Sequence, residues 1–436
     1  MILRLALWGY RLAWLLLWPL VLLYLWRRGR RDADYSRHIA ERFGFYPAPL
    51  PQGAIWVHAV SLGEIRSAQG LIRLMLARGD RVIVTNITPA GRRETQRLFA
   101  PEIARGQVAV VWAPFDMPFA LRRFLRACRP RIGLPLEVEI WPEMIFTCRA
   151  MGVPLYLCNA QYAEGPLARD GRGLRLRQRL IGAIDGAFVK SQLQAQRFRS
   201  VGLRNLQVTG ELRFDQPIPP AHLDAGAALR GQIGGREVIT IASGVADEEA
   251  LYRDLILQMQ GAEAPLFVYV PRAPERFDAV VQGLEGAGLL VARRSQCLDA
   301  DLAATAPLDG VDVLVGDSFG EMYFYLALAD RVIVGAGFTP KGAHNIIEAL
   351  SLGKPVLTGP VTWTIEYPFV EAEAAGIAVS VPDLPALLAE LRQEAQADQA
   401  AIARFLAEHG GASARTLAAI DAVAGRVRAE HAPYVS

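Results

Sequence analysis

Glu64 lies in Ser61-Leu62-Gly63-Glu64, directly after an apolar β-type run, Ile55–Val60, and at the start of a stretch with apolar residues at helical spacing. A carboxylate at the mouth of such a strand–turn–helix unit can take a proton from an attacking hydroxyl. Gly63 permits a tight turn with close main-chain approach. The same spacing is that of a capping box, in which Ser61 and Glu64 do no more than close the helix start. Glu137 and Glu139 are one residue apart in Glu137-Val138-Glu139-Ile140-Trp141-Pro142. On an extended strand they would share a face. Paired acids in an apolar setting need a ligand or a base; otherwise they are solvated side chains at a strand end.

Further along, Pro271-Arg272 follows a β-rich run and precedes Pro274-Glu275-Arg276. An arginine at a strand end can hold phosphate or carboxylate, or form an Arg–Glu surface pair of little energetic weight. Gly316-Asp317-Ser318-Phe319-Gly320-Glu321 and Gly335-Ala336-Gly337 are glycine turns at strand ends, where a ligand can approach the main chain. In His344-Asn345-Ile346-Ile347-Glu348, Asn345 can cap a helix, leaving N–H groups for a phosphate. Glu348 could accept hydrogen bonds from ribose hydroxyls. His58, inside an apolar strand, reads as a core histidine. No His or Cys cluster has metal spacing. The acid pairs Asp32-Ala33-Asp34 and Asp299-Ala300-Asp301 lack the strand-end setting of a metal site, so neither metal nor cofactor is expected.

These residues must be held by elements, and the chain is rich in them. After residue 50, short β-rich runs alternate with helical patterns, the signature of βαβ units around a parallel sheet. The first series is Ile55–Val60, Val82–Thr85, Val108–Trp112, Leu155–Asn159, Ala187–Lys190 and Gln207–Gly210. The second is Val238–Ala242, Leu266–Val270, Leu289–Val291, Val311–Leu314, Arg331–Val334 and Pro355–Leu357. Between them, residues 215–235 carry Pro217, Pro219, Pro220, Gly231, Gly234 and Gly235 and read as a linker. Residues 383–430 read as helical. The expected division is therefore an anchor with its basic flank (1–31), a first Rossmann-like domain (32–214), a linker (215–235) and a second domain with closing helices (236–436).

The chain has 436 residues, 52% of them apolar, enough for two cores. Leu12–Trp26 is unbroken apolar sequence, close to the length of a spanning helix when the residues before it are added. Trp8, Trp14, Trp18, Tyr24 and Trp26 suit the membrane interface, and Arg27, Arg28, Arg30 and Arg31 should hold that end in the cytoplasm. Arg4, Arg11 and Pro19 also suit a helix lying in the interface. Arg27, Arg28, Arg30 and Arg31, and a second cluster at Arg172, Arg175, Arg177 and Arg179, suit anionic lipid headgroups or phosphates; the second cluster reads equally well as a solvated face. With a net charge of +3, no nucleic-acid partner is expected. Cys128, Cys148, Cys158 and Cys297 form no CxxC pair and read as reduced thiols.

In chain order, the stretches IWVHAVSLGE, VTNITPAGRR, APFDMP, EVEIWPEM, LCNAQ, TGELRFD, VPRAPERF, GDSFGEM and HNIIEAL resemble the bacterial 3-deoxy-D-manno-octulosonic acid (Kdo) transferases of the lipopolysaccharide inner core. The resemblance covers nearly the whole chain. It implies the α/β glycosyltransferase B fold: two Rossmann-like doubly wound domains with a cleft between them, plus an N-terminal membrane-anchor helix. It also implies an inverting, metal-independent transferase at the cytoplasmic face of the inner membrane. The donor would be CMP-Kdo and the acceptor a lipid A precursor. By position, Glu64 resembles the general base, and Glu137 and Arg213 resemble groups that stabilise the transition state. Pro271, Arg272, Phe319, Gly320, Glu321, Asn345, Ile346, Ile347 and Glu348 resemble the CMP-binding segments. The chain departs from the usual pattern at Ala273, Arg213, Gly244 and Ala336. Those departures admit as alternatives a diverged paralogue with another acceptor or related sugar nucleotide, or an inactive membrane-bound scaffold.

Overall fold

Most of the apolar β-type runs become strands buried on both faces, as parallel sheets covered by helices require. The computed structural model describes residues 2–393 and 398–430. It divides into one unit of Met1–Gln216 with Gly410–Ser436 and a second of Pro217–His409.

In the first unit the strands are β1 (Ile55–His58), β2 (Val82–Asn86), β3 (Val108–Trp112), β4 (Ile132–Pro135), β5 (Tyr156–Ala160), β6 (Gly186–Val189) and β7 (Leu206–Val208). They pair in the orders β3-β2-β1-β4 and β5-β6-β7. The parallel bridges Gly133↔Leu155 and Leu136↔Cys158 join the two sets. β4 is an addition to the expected strands. A side chain at Gly133 would meet the Trp56 ring at 2.8 Å, so close packing on β1 explains the glycine that disguised this strand. The order reverses beside β1, between β2 and β4, which is where open α/β sheets bind ligands.

In the second unit the strands are β8 (Val238–Gly244), β9 (Leu266–Pro271), β10 (Val291–Arg293), β11 (Val313–Val315), β12 (Arg331–Val334), β13 (Val356–Thr358) and β14 (Ala378–Ser380). All are parallel, in the order β10-β11-β9-β8-β12-β13-β14. β14 was not among the expected strands. The order reverses at β8, between β9 and β12.

The expected linker is mostly a helix, Pro220–Ile233. Pro220 occupies its first position, where the missing N–H costs nothing. Gly226 lies inside it because a side chain there would meet Ala327 Cβ at 2.5 Å. The C-terminal assignment also changes. Helices Leu384–Leu391 and Gln399–His409 belong to the second unit, whereas helix Ala412–Glu430 returns to the first, against helix Leu62–Ala77. Asp215 fixes the return, accepting the Gly411 N–H at 2.7 Å and the Ser413 N–H at 2.5 Å. Of the expected helical stretch and second domain, residues 394–397 and 431–436 lie outside the described residues.

The N-terminal helix, Ile2–Gly29, runs through Pro19 and is long and apolar enough to cross a membrane by length and composition. One side packs on the first unit: Leu25, Trp14, Val21 and Leu22 meet Phe43, Phe115 and Met117. Leu5, Trp8, Leu12, Leu16, Leu20, Leu23 and Trp26 are exposed, as are Arg27, Arg28, Arg30 and Arg31.

Candidate functional site

At the reversal in the first unit, Glu64 stands in the first turn of helix Leu62–Ala77. Ser61 caps that helix: its Oγ accepts the Glu64 N–H at 3.4 Å and donates to Glu64 Oε1 at 3.1 Å. Glu64 Oε2 accepts the Val60 N–H at 2.7 Å. The capping box is therefore real, its return bond going to Val60 rather than to Ser61. The side chain is nonetheless partly open to solvent. Burial raises its carboxyl to about 7, opposed by the Val60 and Ser61 bonds and reinforced by Glu139 and Glu137. A carboxyl titrating near neutrality can accept a proton from a substrate.

Glu137 and Glu139 do not share a strand face as expected. β4 ends at Pro135, and Glu137 adopts φ 56° in the left-handed region. Glu139 Oε2 accepts the Trp141 indole N–H at 2.7 Å. Glu137 turns the other way, to Lys190 Nζ at 3.2 Å and Asn159 Nδ2 at 3.3 Å, with the Arg213 guanidinium at 4.0 Å. Lys190 also pairs with Glu211 at 2.6 Å, and Asn159 Nδ2 donates to Glu211 at 2.8 Å. Burial opposes ionisation of Glu211, but Lys190 and Arg213 hold its carboxyl well below the usual carboxylate range. The group of two acids and two bases is thus internally neutral. Lys190, Glu211 and Asn159, all buried, were not anticipated. Their signal lay in the strand-end position of Lys190 and in the acid of TGELRFD. His58 is a core residue, as expected: its Nδ1 contacts Thr85 Oγ1 at 2.8 Å, and burial lowers it to about 4.

The reversal in the second unit is built from close backbone approaches. A side chain at Gly335 would meet the Ser243 carbonyl oxygen at 2.6 Å. Ala336 is left-handed, φ 72°. Buried Glu248 holds this loop, accepting the Ala336 N–H at 2.6 Å and the Phe338 N–H at 2.9 Å. Glu248 was not among the expected residues. Pro271 pairs with Gly244, and the Arg272 N–H donates to the Gly244 carbonyl at 2.8 Å. The Arg272 side chain is exposed and makes no ion pair among the described residues. The Arg–Glu surface pair weighed for Arg272 does not form among the described residues; Arg276 pairs with Glu249 instead. Arg272 adds to the burial that lowers His344 to about 4.

The remaining candidates divide. Phe319 is 72% exposed and Gly320 has φ 82°, an open turn. Glu321 is not open. Arg294 takes both its oxygens, at 2.8 and 2.9 Å, and Ser318 and Tyr325 donate to Oε2. It shapes the turn rather than offering a free carboxylate. Asn345 Oδ1 accepts the Ile347 N–H at 3.0 Å, a capping bond as expected, which leaves that N–H unavailable to a phosphate. Ile346 and Ile347 bury their side chains, and the helix they open, Ile347–Ser351, is only five residues long. Glu348 is half-buried, and its charge adds to the burial that raises Tyr323. The Asp pairs are used locally: Asp32 by Arg93, and Asp299 by the N–H groups of Asp301 and Ala303. All four cysteines are free and buried.

Two solved structures share this architecture. A glycosyltransferase from Rickettsia africae superposes with a TM-score of 0.56 at 11% identity, covering 86% of this chain and 99% of that one. The UDP-GlcNAc 2-epimerase from Neisseria meningitidis, solved with UDP-GlcNAc, gives 0.55 at 12%, covering 87% and 100%. At such identities they show the glycosyltransferase B fold alone. A family model described as 3-deoxy-D-manno-octulosonic-acid transferase (kdotransferase) matches residues 37–216. The 3-deoxy-D-manno-octulosonic acid transferase of Haemophilus influenzae is 26% identical over 354 residues, 79% of this chain and 80% of that protein. The Bordetella pertussis transferase of that name is 40% identical over 429 residues, 94% of this chain and 98% of that protein. Identity at that level along almost the whole of both sequences, over a parallel-stranded fold with an acid at the strand-order reversal, means that the chain belongs to the 3-deoxy-D-manno-octulosonic acid transferases.

Proposed function

We propose that the protein transfers Kdo from CMP-Kdo to a lipid A precursor in lipopolysaccharide synthesis, with inversion and without a metal, at the cytoplasmic face of the inner membrane. The observation that carries the catalytic part is Glu64: partly exposed, at the reversal of the first sheet, with its carboxyl raised to about 7. Glu64 takes the proton of the acceptor hydroxyl as the oxygen attacks the anomeric carbon. The bond from that carbon to the CMP phosphate breaks on the opposite face, and its electron pair leaves with the phosphate. Arg272, exposed and without an ion-pair partner among the described residues, takes up charge on the phosphate or the sugar carboxylate. Phe319, Gly320 and the segment Asn345–Glu348 contribute to the nucleotide site. Glu321 and Glu248 act by shaping its turns. Glu137 and Arg213 balance charge beside the acceptor. The N-terminal helix holds the chain at the bilayer, with Arg27, Arg28, Arg30 and Arg31 against anionic lipids.

Release of CMP from CMP-Kdo tests this reading. Release should depend on added lipid A precursor, and CMP should raise the melting temperature more than UMP does. Equal stabilisation by both nucleotides, with no acceptor-dependent release, would overturn it.

A further inference from the structure

Helix Pro142–Ala150 begins with a proline, and its N-cap residue, Trp141, offers no side-chain acceptor. The N–H groups of Glu143 and Met144 therefore need a partner from elsewhere. Fully buried Asp116 supplies it, with Oδ2 on the Glu143 N–H at 3.0 Å and Oδ1 on the Met144 N–H at 2.8 Å. The N-terminal helix reaches the same point. Tyr10 donates its hydroxyl to Asp116 Oδ2 at 2.9 Å. Arg11 forks onto Glu143, Nε to Oε1 at 2.5 Å and Nη2 to Oε2 at 3.2 Å, and the Glu143 side chain is 0% exposed. Two buried carboxylates at one helix start thus draw partners from the anchor.

That helix start is also the end of the acidic loop. Trp141 immediately precedes Pro142, holds Glu139 through its indole, and packs edge-on against His58 at 5.5 Å between ring centroids. Glu139 and Glu137 are the charges that act on Glu64. We propose that Tyr10 and Arg11 are positioning residues for the loop Glu137–Trp141, acting through Asp116 and Glu143, so that the anchor helix is a working part of the acceptor side of the enzyme as well as a tether. The proposal rests on the reading above for the reaction, but not for the loop's geometry. Burial raises the Asp116 carboxyl to about 7 against the pull of its three donors, as befits a side chain with no solvent to fall back on.

The test uses the full chain in detergent micelles with Tyr10→Phe, Arg11→Gln, Arg11→Lys and, as a control on the same helix, Arg4→Gln. Hydrogen–deuterium exchange is followed peptide by peptide, alongside kcat, KM for CMP-Kdo and the pH profile. Tyr10→Phe and Arg11→Gln should speed exchange in 137–147 and leave the second unit unchanged. They should lower kcat between about 10-fold and about 100-fold, the scale of a misplaced catalytic group, with KM for CMP-Kdo near wild type and the acidic limb moved. Arg11→Lys should recover part of the loss, and Arg4→Gln should match wild type. Unchanged exchange in 137–147, exchange raised evenly through the whole first unit, or local loosening with unaltered kcat would each overturn the proposal. If the wild type fails to transfer Kdo, the assigned reaction falls, while the exchange data still decide whether Tyr10 and Arg11 hold the loop Glu137–Trp141.

Discussion

Val60 and Glu64 are joined by a 2.7 Å hydrogen bond from main-chain N–H to carboxylate, so the side chain assigned to proton transfer also closes the start of its own helix. Glu64→Gln separates the two duties, because an amide oxygen can still accept from Val60 while the ionisable group is gone. Turnover should fall by about 10²–10⁴-fold with the melting temperature nearly unchanged. Glu64→Ala loses both duties and should melt below the Gln variant. Steady-state rates and thermal melts of the two variants check this.

A base with a carboxyl near 7 must be ionised to work. Activity should therefore rise with pH through about 7 and flatten above it. Burial is the main cause of the raised value, and the neighbouring acids add to it. Glu139→Gln removes one like charge, which eases ionisation of Glu64. The rising limb of kcat against pH should then move to lower pH.

Lys190 is 4% exposed and bridges Glu211 and Glu137. Lys190→Met leaves two acids short of their partner. Breaking a buried pair from one side costs about 3–5 kcal/mol, so the first unit should melt clearly earlier. The same variant assayed at lower pH, where the acids can protonate, should recover part of that loss.

Arg272 and Glu248 should affect nucleotide binding in different ways. Arg272 is exposed and without an ion pair among the described residues, so Arg272→Ala should leave the melting temperature alone. It should weaken CMP by about 10–100-fold, the equivalent of one charged hydrogen-bonding contact. Glu248→Ala strips the Ala336 and Phe338 N–H groups of their acceptor. It should therefore lower stability, by about 1–3 kcal/mol for each group left unsatisfied, as well as CMP affinity. Calorimetric titration with CMP and thermal melts separate the two patterns.

What the sequence disclosed follows the range of the interactions. β3 and β12 begin and end where the expected runs do, because a run of mostly apolar residues marks a strand packed in a helix-covered sheet. β4 was missed because its packing on Trp56 demands Gly133 and it ends in Pro135. Of the prolines read as a linker, Pro220 opens the helix Pro220–Ile233, Pro219 is its N-cap and Pro217 lies just before it, since proline marks helix starts as readily as loops. The return of Ala412–Glu430 to the first unit depends on Asp215, almost 200 residues earlier in the chain, a link that no local pattern encodes. Glu64 was visible because strand, turn and acid are contiguous. Lys190, Glu211 and Glu248 were not, because their partners meet them only when separate strands align.

The most direct measurement is the mass of the lipid after incubation of the detergent-solubilised protein with CMP-Kdo and a lipid A precursor. The wild type should yield lipid heavier by Kdo, and Glu64→Gln should leave the precursor almost entirely unconverted. A precursor unchanged by the wild type, or converted equally well by Glu64→Gln, would contradict the account.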